Sequence, residues 1–301
     1  MTSIKVLDKD LPLKLEWLRS FLSVADKGSF TKAAREIRLS QPAVWTHVRE
    51  LEVNLGITLF EHVAGKARLT GAGETAAREA RRLLDGVRAF REAVAESEGT
   101  VRGVLTLGAS TTPGNYLLPP LMQEFERRYP QARTALSISN SGKVLERLRA
   151  NEVDLAVIGI EPDGDEFASK PFAEDEIVLF AGRKHTLARK KRIIGKDLAG
   201  QRLVVREPDS ATRRLTDALL SKEVGPFTLM ELGCPETVKK AVAAGLGLGV
   251  LSRYSIAGEA KHGDLVEVSC PGFPVRRRLY VVHLKRKHLS RMMTGFLELL
   301  K

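Results

Sequence analysis

Apolar residues recur at helical spacing three times before residue 60. Leu15, Leu18, Phe21, Leu22 and Ala25 form a first stripe, which Gly28 closes as a C-cap. Phe30, Ala33, Ala34 and Ile37 form a second, with Lys32, Arg35 and Glu36 on the opposite face. After the helix-start signal Ser40-Gln41-Pro42, a third stripe of Val44, Val48, Leu51 and Leu55 is expected to face inward. That leaves Gln41, Trp45, Thr46, Arg49 and Glu52 outward. A tight turn between the second and third segments makes a helix-turn-helix pair, whose second helix enters the DNA major groove. Amide, aromatic, hydroxyl and guanidinium groups suit base edges and phosphates. Any surface helix also has a polar face, so the stripe needs support from its neighbours.

Downstream, Leu59 and Phe60 point inward, and residues 62–69 read as a short hairpin with Gly65 at its tip. This wing carries Lys66 and Arg68 toward backbone phosphate. Thr70 then N-caps a helix running to about Ser97. Within it Ala76, Ala80, Leu83, Val87, Phe90 and Val94 follow an a/d heptad rhythm, with Arg78, Arg82, Asp85, Glu92 and Glu96 on the other face. Packing on its own domain is the simpler use of such a helix, but the narrow stripe and charged flanks favour pairing with a second copy.

Glu98-Gly99-Thr100 reads as a hinge, after which strands and helices alternate. Strands are expected at Val104–Ala109, Thr134–Ser139, Leu155–Ile160, Ile177–Ala181, Leu203–Val205 and Leu279–His283. Helices are expected at Leu117–Tyr129, Ser141–Asn151, after Ser210, along Thr237–Leu246 and at Ser290–Leu300. Such succession predicts a mostly parallel sheet covered on both faces. The chain should cross into a second subdomain near Phe180 and return near Arg278, leaving a cleft.

The expected fold class is therefore α/β with an all-α N-terminal part. Its pieces are an N-terminal extension (1–14), a winged helix-turn-helix (15–70), a linker and dimerisation helix (71–97), a hinge (98–103) and an effector-binding domain (104–301). The last divides into subdomain 1 (104–179 and 279–301) and subdomain 2 (180–278).

Composition narrows the function less than it first suggests. With 301 residues, several domains are expected at ~150 residues each. No apolar run approaches the ~18 residues that span a bilayer. Residues 1–14 lack a secretory signal's apolar core and cleavage site, so a cytoplasmic protein is expected. The two cysteines, Cys234 and Cys270, have no metal-ligand spacing and are read as free thiols, a redox pair being the alternative. The net charge of +11 invites a nucleic-acid reading, yet residues 15–97 hold 13 Lys and Arg against 11 Asp and Glu. Most of the surplus lies beyond residue 97, notably in Arg183, Lys184, Arg189, Lys190, Lys191, Arg192 and Lys196. A second cluster is Arg276, Arg277 and Arg278 with Lys285, Arg286 and Lys287. A solvated charged face is the simpler reading of both, with non-specific holding of DNA or attraction of an anionic ligand as the alternatives.

The order of parts resembles the LysR-type transcriptional regulators from Leu15 to Leu300. The resemblance is carried by Phe21-Leu22-Ser23-Val24-Ala25, Gly28-Ser29-Phe30-Thr31-Lys32-Ala33-Ala34, Leu39-Ser40-Gln41-Pro42-Ala43-Val44, Leu51-Glu52, Leu55-Gly56, Leu59-Phe60-Glu61 and Leu69-Thr70. It continues in Tyr116-Leu117-Leu118-Pro119, Asp154-Leu155-Ala156-Val157 and Val242-Ala243-Ala244-Gly245-Leu246-Gly247. It implies a winged-helix DNA reader, a dimerising linker helix and an effector domain shaped like periplasmic solute-binding proteins. The effector domain's phrasing is nearest to regulators of carbon fixation or of sulfur and nitrogen assimilation. Implied partners are promoter DNA, further copies of the chain up to a homotetramer, and a small-molecule effector, with RNA polymerase a further candidate and no membrane. No cofactor is expected. DNA contacts are expected from Ser29, Thr31, Gln41, Pro42, Trp45, Thr46, Arg49, Lys66 and Arg68. Two positions depart from the family: Trp45 stands where a small serine is usual, and His62 where an arginine usually follows Leu-Phe-Glu.

Three hydroxyl-rich turns follow strands in the effector region, where open α/β sheets bind ligands. They are Ser110-Thr111-Thr112-Pro113-Gly114, Ser139-Asn140-Ser141 and Ser210-Ala211-Thr212-Arg213. Each could merely cap a helix. Together they predict a small oxyanion, or a carboxylated or phosphorylated metabolite, held by Ser110, Thr111, Thr112, Asn140, Ser141, Ser210 and Thr212, with Arg206 or Arg213 nearby and Glu236 bordering the cleft. The main alternative is a solute-binding or enzymatic α/β protein with a helical interaction domain. Against an enzyme, Gly245-x-Gly247-x-Gly249 follows a helix and lacks the dinucleotide fingerprint. The six histidines form no ligand motif, and no nucleophile elbow occurs.

Overall fold

The computed structural model describes residues 13–63, 66–97, 101–190, 193–223 and 228–300. Residues 1–12 of the expected N-terminal extension, the expected wing tip Gly65, residues 98–100 of the hinge, Lys191 and Arg192 lie outside them. Two compact units divide between Val94 and Ala95.

The first unit is built on α1 (Leu15–Lys27), α2 (Phe30–Glu36), α3 (Gln41–Leu55), the antiparallel wing strands β1 (Phe60–Val63) and β2 (Lys66–Leu69), and α4 (Gly71–Ser97). Local chemistry sets the boundaries. Gly28 ends α1 at φ +61°, its N–H bonded to Val24 O at 2.8 Å. Ser29 and Ser40 cap α2 and α3 by accepting from Lys32 N at 3.4 Å and Ala43 N at 3.3 Å. Phe21, Val44, Val48, Leu51, Leu59 and Phe60 fill the core, with the Phe60 ring against Phe21 and Phe30 at centroid distances of 5.4 and 5.8 Å.

Three sequence expectations need correction here. Leu15 and Leu55 are exposed, because each sits in a terminal turn beyond the reach of the packed stripe, and Trp17 fills α1's share instead. Glu52 is not an outward reader: its Oε1 accepts from Leu59 N at 2.7 Å and Phe60 N at 3.3 Å. The chain entering the wing has backbone donors to satisfy, and Glu52 is the acceptor within reach. Thirdly, Ala76 and Ala80 of the expected heptad seam pack on this unit's own core together with Ala77 and Leu84.

The second unit contains β3 (Gly103–Ser110), α5 (Thr111–Tyr116), α6 (Leu118–Arg128), β4 (Ala132–Ser139), α7 (Ser141–Arg149), β5 (Leu155–Ile158) and β6 (Phe167–Gly182). It continues with α8 (Gly195–Leu198), β7 (Arg202–Arg206), α9 (Ala211–Glu223), β8 (Thr228–Leu232), α10 (Pro235–Ala243) and β9 (Leu248–Ser252). It ends with α11 (Arg253–His262), β10 (Leu265–Glu267), β11 (Val275–Leu284) and α12 (Arg291–Leu299). The strands run β4-β3-β5-β11-β6-β9-β7-β8, with β10 also on β6. The sheet is mixed. β3 lies parallel between β4 and β5, and β7 parallel between β8 and β9, but the long central strands β6 and β11 run antiparallel to each other and to their outer neighbours.

Those two strands join two α/β halves. β11 residues 280–282 pair with β5, whereas β6 residues 177–180 pair with β9, so the crossing falls within residues 172–176 and not near Phe180. Phe180 already belongs to the second half's core, with Val178, Val204, Val238, Val242 and Leu251. Both faces of each half are covered. Leu155 and Val157 join the core under α6 and α12, while Ala156 and Ile158 join the core under α7, which is why this strand is a continuous apolar run. Among the described residues no helix is long and apolar enough to cross a membrane.

The start of α4 depends on one close approach. Thr70 Oγ1 accepts from Gly73 N at 3.0 Å and donates to Thr58 O at 2.9 Å, and a Cβ on Gly73 would lie 2.1 Å from Leu59 O. Gly73→Ala should therefore destabilise the N-terminal unit by about 1–3 kcal/mol. Gly71→Ala, where an added Cβ meets nothing within 4 Å, should be neutral or slightly stabilising. Urea unfolding of the two variants checks the contrast.

Candidate nucleic-acid interface and ligand pocket

On α3, burial of Val44, Val48 and Leu51 forces the intervening residues outward, and Gln41, Pro42, Trp45, Thr46 and Arg49 are all exposed. Trp45 is 56% exposed, a large apolar surface for a side chain with no core to join. Arg49 makes no hydrogen bond or ion pair among the described residues. Gln41 is held in place: Thr31 Oγ1 donates to its Oε1 at 3.0 Å, leaving the amide NH2 to donate outward. Ser29 is spent as the α2 cap and is half-buried. On the wing, Lys66 and Arg68 are exposed, Arg68 lying 3.9 Å from Glu61. The His62 side chain lies outside the described residues. Beneath the reader helix, His47 Nδ1 and the buried Ser20 hydroxyl share a 2.8 Å hydrogen bond that ties α3 to α1.

In the second unit the three predicted turns converge. Ser110, Thr111, Thr112, Asn140, Ser141, Arg206, Ser210, Ala211, Thr212 and Arg277 line one cleft between the halves, about 270 Å³ with its open mouth included. The N-termini of α7 and α9 point into it, an arrangement of backbone N–H groups that favours anions. Asn140 is partly committed, since its Oδ1 accepts from Lys143 N at 2.8 Å. Ser141 is the opposite case: its hydroxyl is buried with no hydrogen-bond partner among the described residues, and the residue is 1% exposed. A buried hydroxyl in that state is costly unless something enters the cleft to meet it.

Two arginines face this cleft. Arg206 lies at the end of β7, with Nε and an NH2 nitrogen each 2.7 Å from a Glu207 carboxylate oxygen and the same NH2 nitrogen 3.5 Å from Thr111 Oγ1. Arg277, which the sequence reading left in a solvated cluster, is buried. Its Nε donates to Asp175 at 2.7 Å, NH1 to Thr212 at 3.3 Å and NH2 to Thr112 at 3.1 Å. The alternation of β11 is the signal that could have found it, because Arg276 and Arg278 face outward and Arg277 must face inward.

Two expected residues lie elsewhere. Arg213 does not line the cleft; it turns back to Asp217 at 2.6 Å, to the Arg206 carbonyl at 2.9 Å and to Glu231 at 3.5 Å. Glu236 is exposed and pairs with Lys239 at 2.8 Å. Burial alone would pull the Lys239 ammonium down, but its contacts with Glu236 and Glu259 outweigh it and hold the group above its ordinary value. Neither cysteine is in a disulfide among the described residues: Cys270 is buried, while Cys234 is exposed and caps α10. Hydrogen bonds from the Thr237 hydroxyl and backbone N–H hold the Cys234 thiol below its usual range. Among the described residues no group of His, Cys, Asp and Glu could hold a metal ion.

Comparison with known proteins shows the family of both units. Residues 15–74 match the family described as bacterial regulatory helix-turn-helix protein, lysR family, and residues 98–301 match the LysR substrate binding domain. The chain is 34% identical to the HTH-type transcriptional activator CmpR of Synechocystis over 93% of its own length and 92% of the relative's. It is 34% identical to the RuBisCO operon transcriptional regulator of Allochromatium vinosum, covering 95% of each. The Synechocystis CcmR regulatory domain, solved in complex with 2-PG, matches with a TM-score of 0.62 and 32% identity over 66% of this chain and 96% of that one. A helix-turn-helix reader with a free polar face, joined in one chain to a two-half α/β unit with a polar cleft, belongs to the LysR family of DNA-binding transcriptional regulators.

Proposed function

We propose that this regulator reads promoter DNA with Gln41, Pro42, Trp45, Thr46 and Arg49 of α3, steadied on the backbone by Thr31, Lys66 and Arg68, and that a small anion in the cleft of its second unit changes that reading. The buried, unpartnered Ser141 hydroxyl carries the ligand half of the proposal, since it lies beside two helix N-termini and two arginines. A ligand with a compact oxyanion group meets all of these together. The 2-PG bound to the related CcmR domain supports this class, and relatives named for CmpR and the RuBisCO operon support a role in carbon assimilation. The chain acts without a cofactor and without catalysis, in the cytoplasm.

A second copy covers the exposed half of the heptad seam. Leu83, Phe90 and Val94 are 50, 68 and 51% exposed, on a helix whose first turns already pack inward. This is an apolar stripe at a/d spacing, which a second α4 would bury.

Three measurements test the proposal. In gel shifts on the region upstream of the protein's own gene, Gln41→Ala and Arg49→Ala should each weaken specific binding by about 1–3 kcal/mol. Unchanged binding in both removes α3 as the reader. Phe90→Lys should raise the dimer dissociation constant at least roughly tenfold by sedimentation equilibrium, whereas an unchanged constant places the interface elsewhere. In thermal-shift titrations with inorganic sulfate, Ser141→Ala should weaken binding by about three- to tenfold, the worth of one hydrogen bond to a charged group. Wild-type behaviour in Ser141→Ala removes that hydroxyl from the ligand's contacts.

A further inference from the structure

Both arginines of the cleft are already held by carboxylates of the same chain, but the two pairs are built differently. Asp175 has a fully buried side chain, and its second oxygen accepts from the buried Ser252 hydroxyl at 2.7 Å. Its partner Arg277 is also engaged by Thr112 and Thr212, so this pair is part of the framework. Glu207 is the residue after Arg206, in the turn that follows β7, and its side chain is 27% exposed. Among the described residues its carboxylate meets only Arg206, through two parallel 2.7 Å hydrogen bonds. Rotation of one side chain toward water would release both donors.

Two parallel N–H donors are also what a phosphate, sulfate or carboxylate group would use on Arg206. With both pairs closed, the four groups sum to zero charge, and these side chains offer an entering anion no net charge. With Glu207 turned out to water, the inner wall keeps Arg206, Arg277 and Asp175, a net charge of +1. Resting on the anion-cleft reading above, we propose that Glu207 is a tethered carboxylate occupying the ligand's place on Arg206, so that an anion binds by displacing it. The residue then sets the concentration at which the regulator responds, because apparent affinity falls by the fraction of time that Glu207 holds the arginine.

The test is a sulfate titration of the full-length protein and its variants by thermal shift or calorimetry. Glu207→Gln should bind sulfate about five- to tenfold more tightly than wild type, the worth of a half-buried bidentate pair. Asp209→Asn, which removes an exposed charge two residues away, should change affinity less than roughly twofold. Arg206→Gln should weaken binding at least roughly tenfold, and in that background Glu207→Gln should bring no gain, since the competition has lost its object. An affinity in Glu207→Gln no higher than wild type overturns the proposal. So does a gain that persists in the Arg206→Gln background or is matched by Asp209→Asn, because either marks a through-space charge effect. Sulfate binding left intact in both Arg206→Gln and Ser141→Ala sinks the anion-cleft reading itself, and Glu207 with it.

Discussion

The buried pair of Arg277 and Asp175 is the contact on which the larger unit turns. Taking two ions out of water costs several kcal/mol each, repaid only if the remaining donors and acceptors are satisfied. Here they are, by Thr112 from α5, Thr212 from α9 and Ser252 from β9. Because β6 and β11 cross at this level, the pair also pins the register of the two strands that join the halves. Removing either partner would strand a charge in the sheet. The walls of the cleft therefore inherit their spacing from one guanidinium.

The N-terminal unit solves a smaller version of the same problem with a carboxylate and a glycine. Glu52 takes the backbone donors of the chain entering the wing, and Gly73 lets α4 start against the Leu59 carbonyl. These contacts fix the base of the wing and the far end of α3, whereas the residues proposed to meet DNA make few contacts of their own. Among the described residues Arg49 and Trp45 are left unengaged, and Gln41 is held only by Thr31. Rigidity beneath and freedom above is what a groove-reading helix needs, since its side chains must take new partners without new folding.

Most of this architecture could be read from the sequence where one period dominates. The helices of the first unit announce themselves at 3.6 residues, and the buried strands as apolar runs. The reading failed where backbone demand overrode periodicity. Glu52 looks like an outward charge until the wing's amides are counted. The first part of β6, with Ser169, Lys170, Pro171, Glu174, Asp175 and Glu176, shows neither alternation nor an apolar run, because much of it lies where the chain passes between cores. Arg277 was hidden for a related reason. Three consecutive arginines read as a solvated run, and only the extent of β11, which begins at Val275, shows that the middle one faces in. The three turns were legible because hydroxyl clusters after strands have few other uses, but not the direction of Arg213, which depends on a carbonyl of the neighbouring strand.

Charge distribution gives the last constraint. The chain's net +11 lies mostly in the larger unit, yet the two arginines of the cleft are each matched by a carboxylate of the same protein. The long-range field that draws anions to the surface therefore does not do the selecting. In the proposed reading, selection falls to directed hydrogen bonds at short range: helix N-termini, the Ser141 hydroxyl, which has no partner among the described residues, and whichever guanidinium donors can be freed. Such donors discriminate by the number and spacing of a ligand's oxygens, which net charge does not report. A cleft of this kind can stay indifferent to the common inorganic monoanions around it and still respond to a metabolite whose oxygens match its donors.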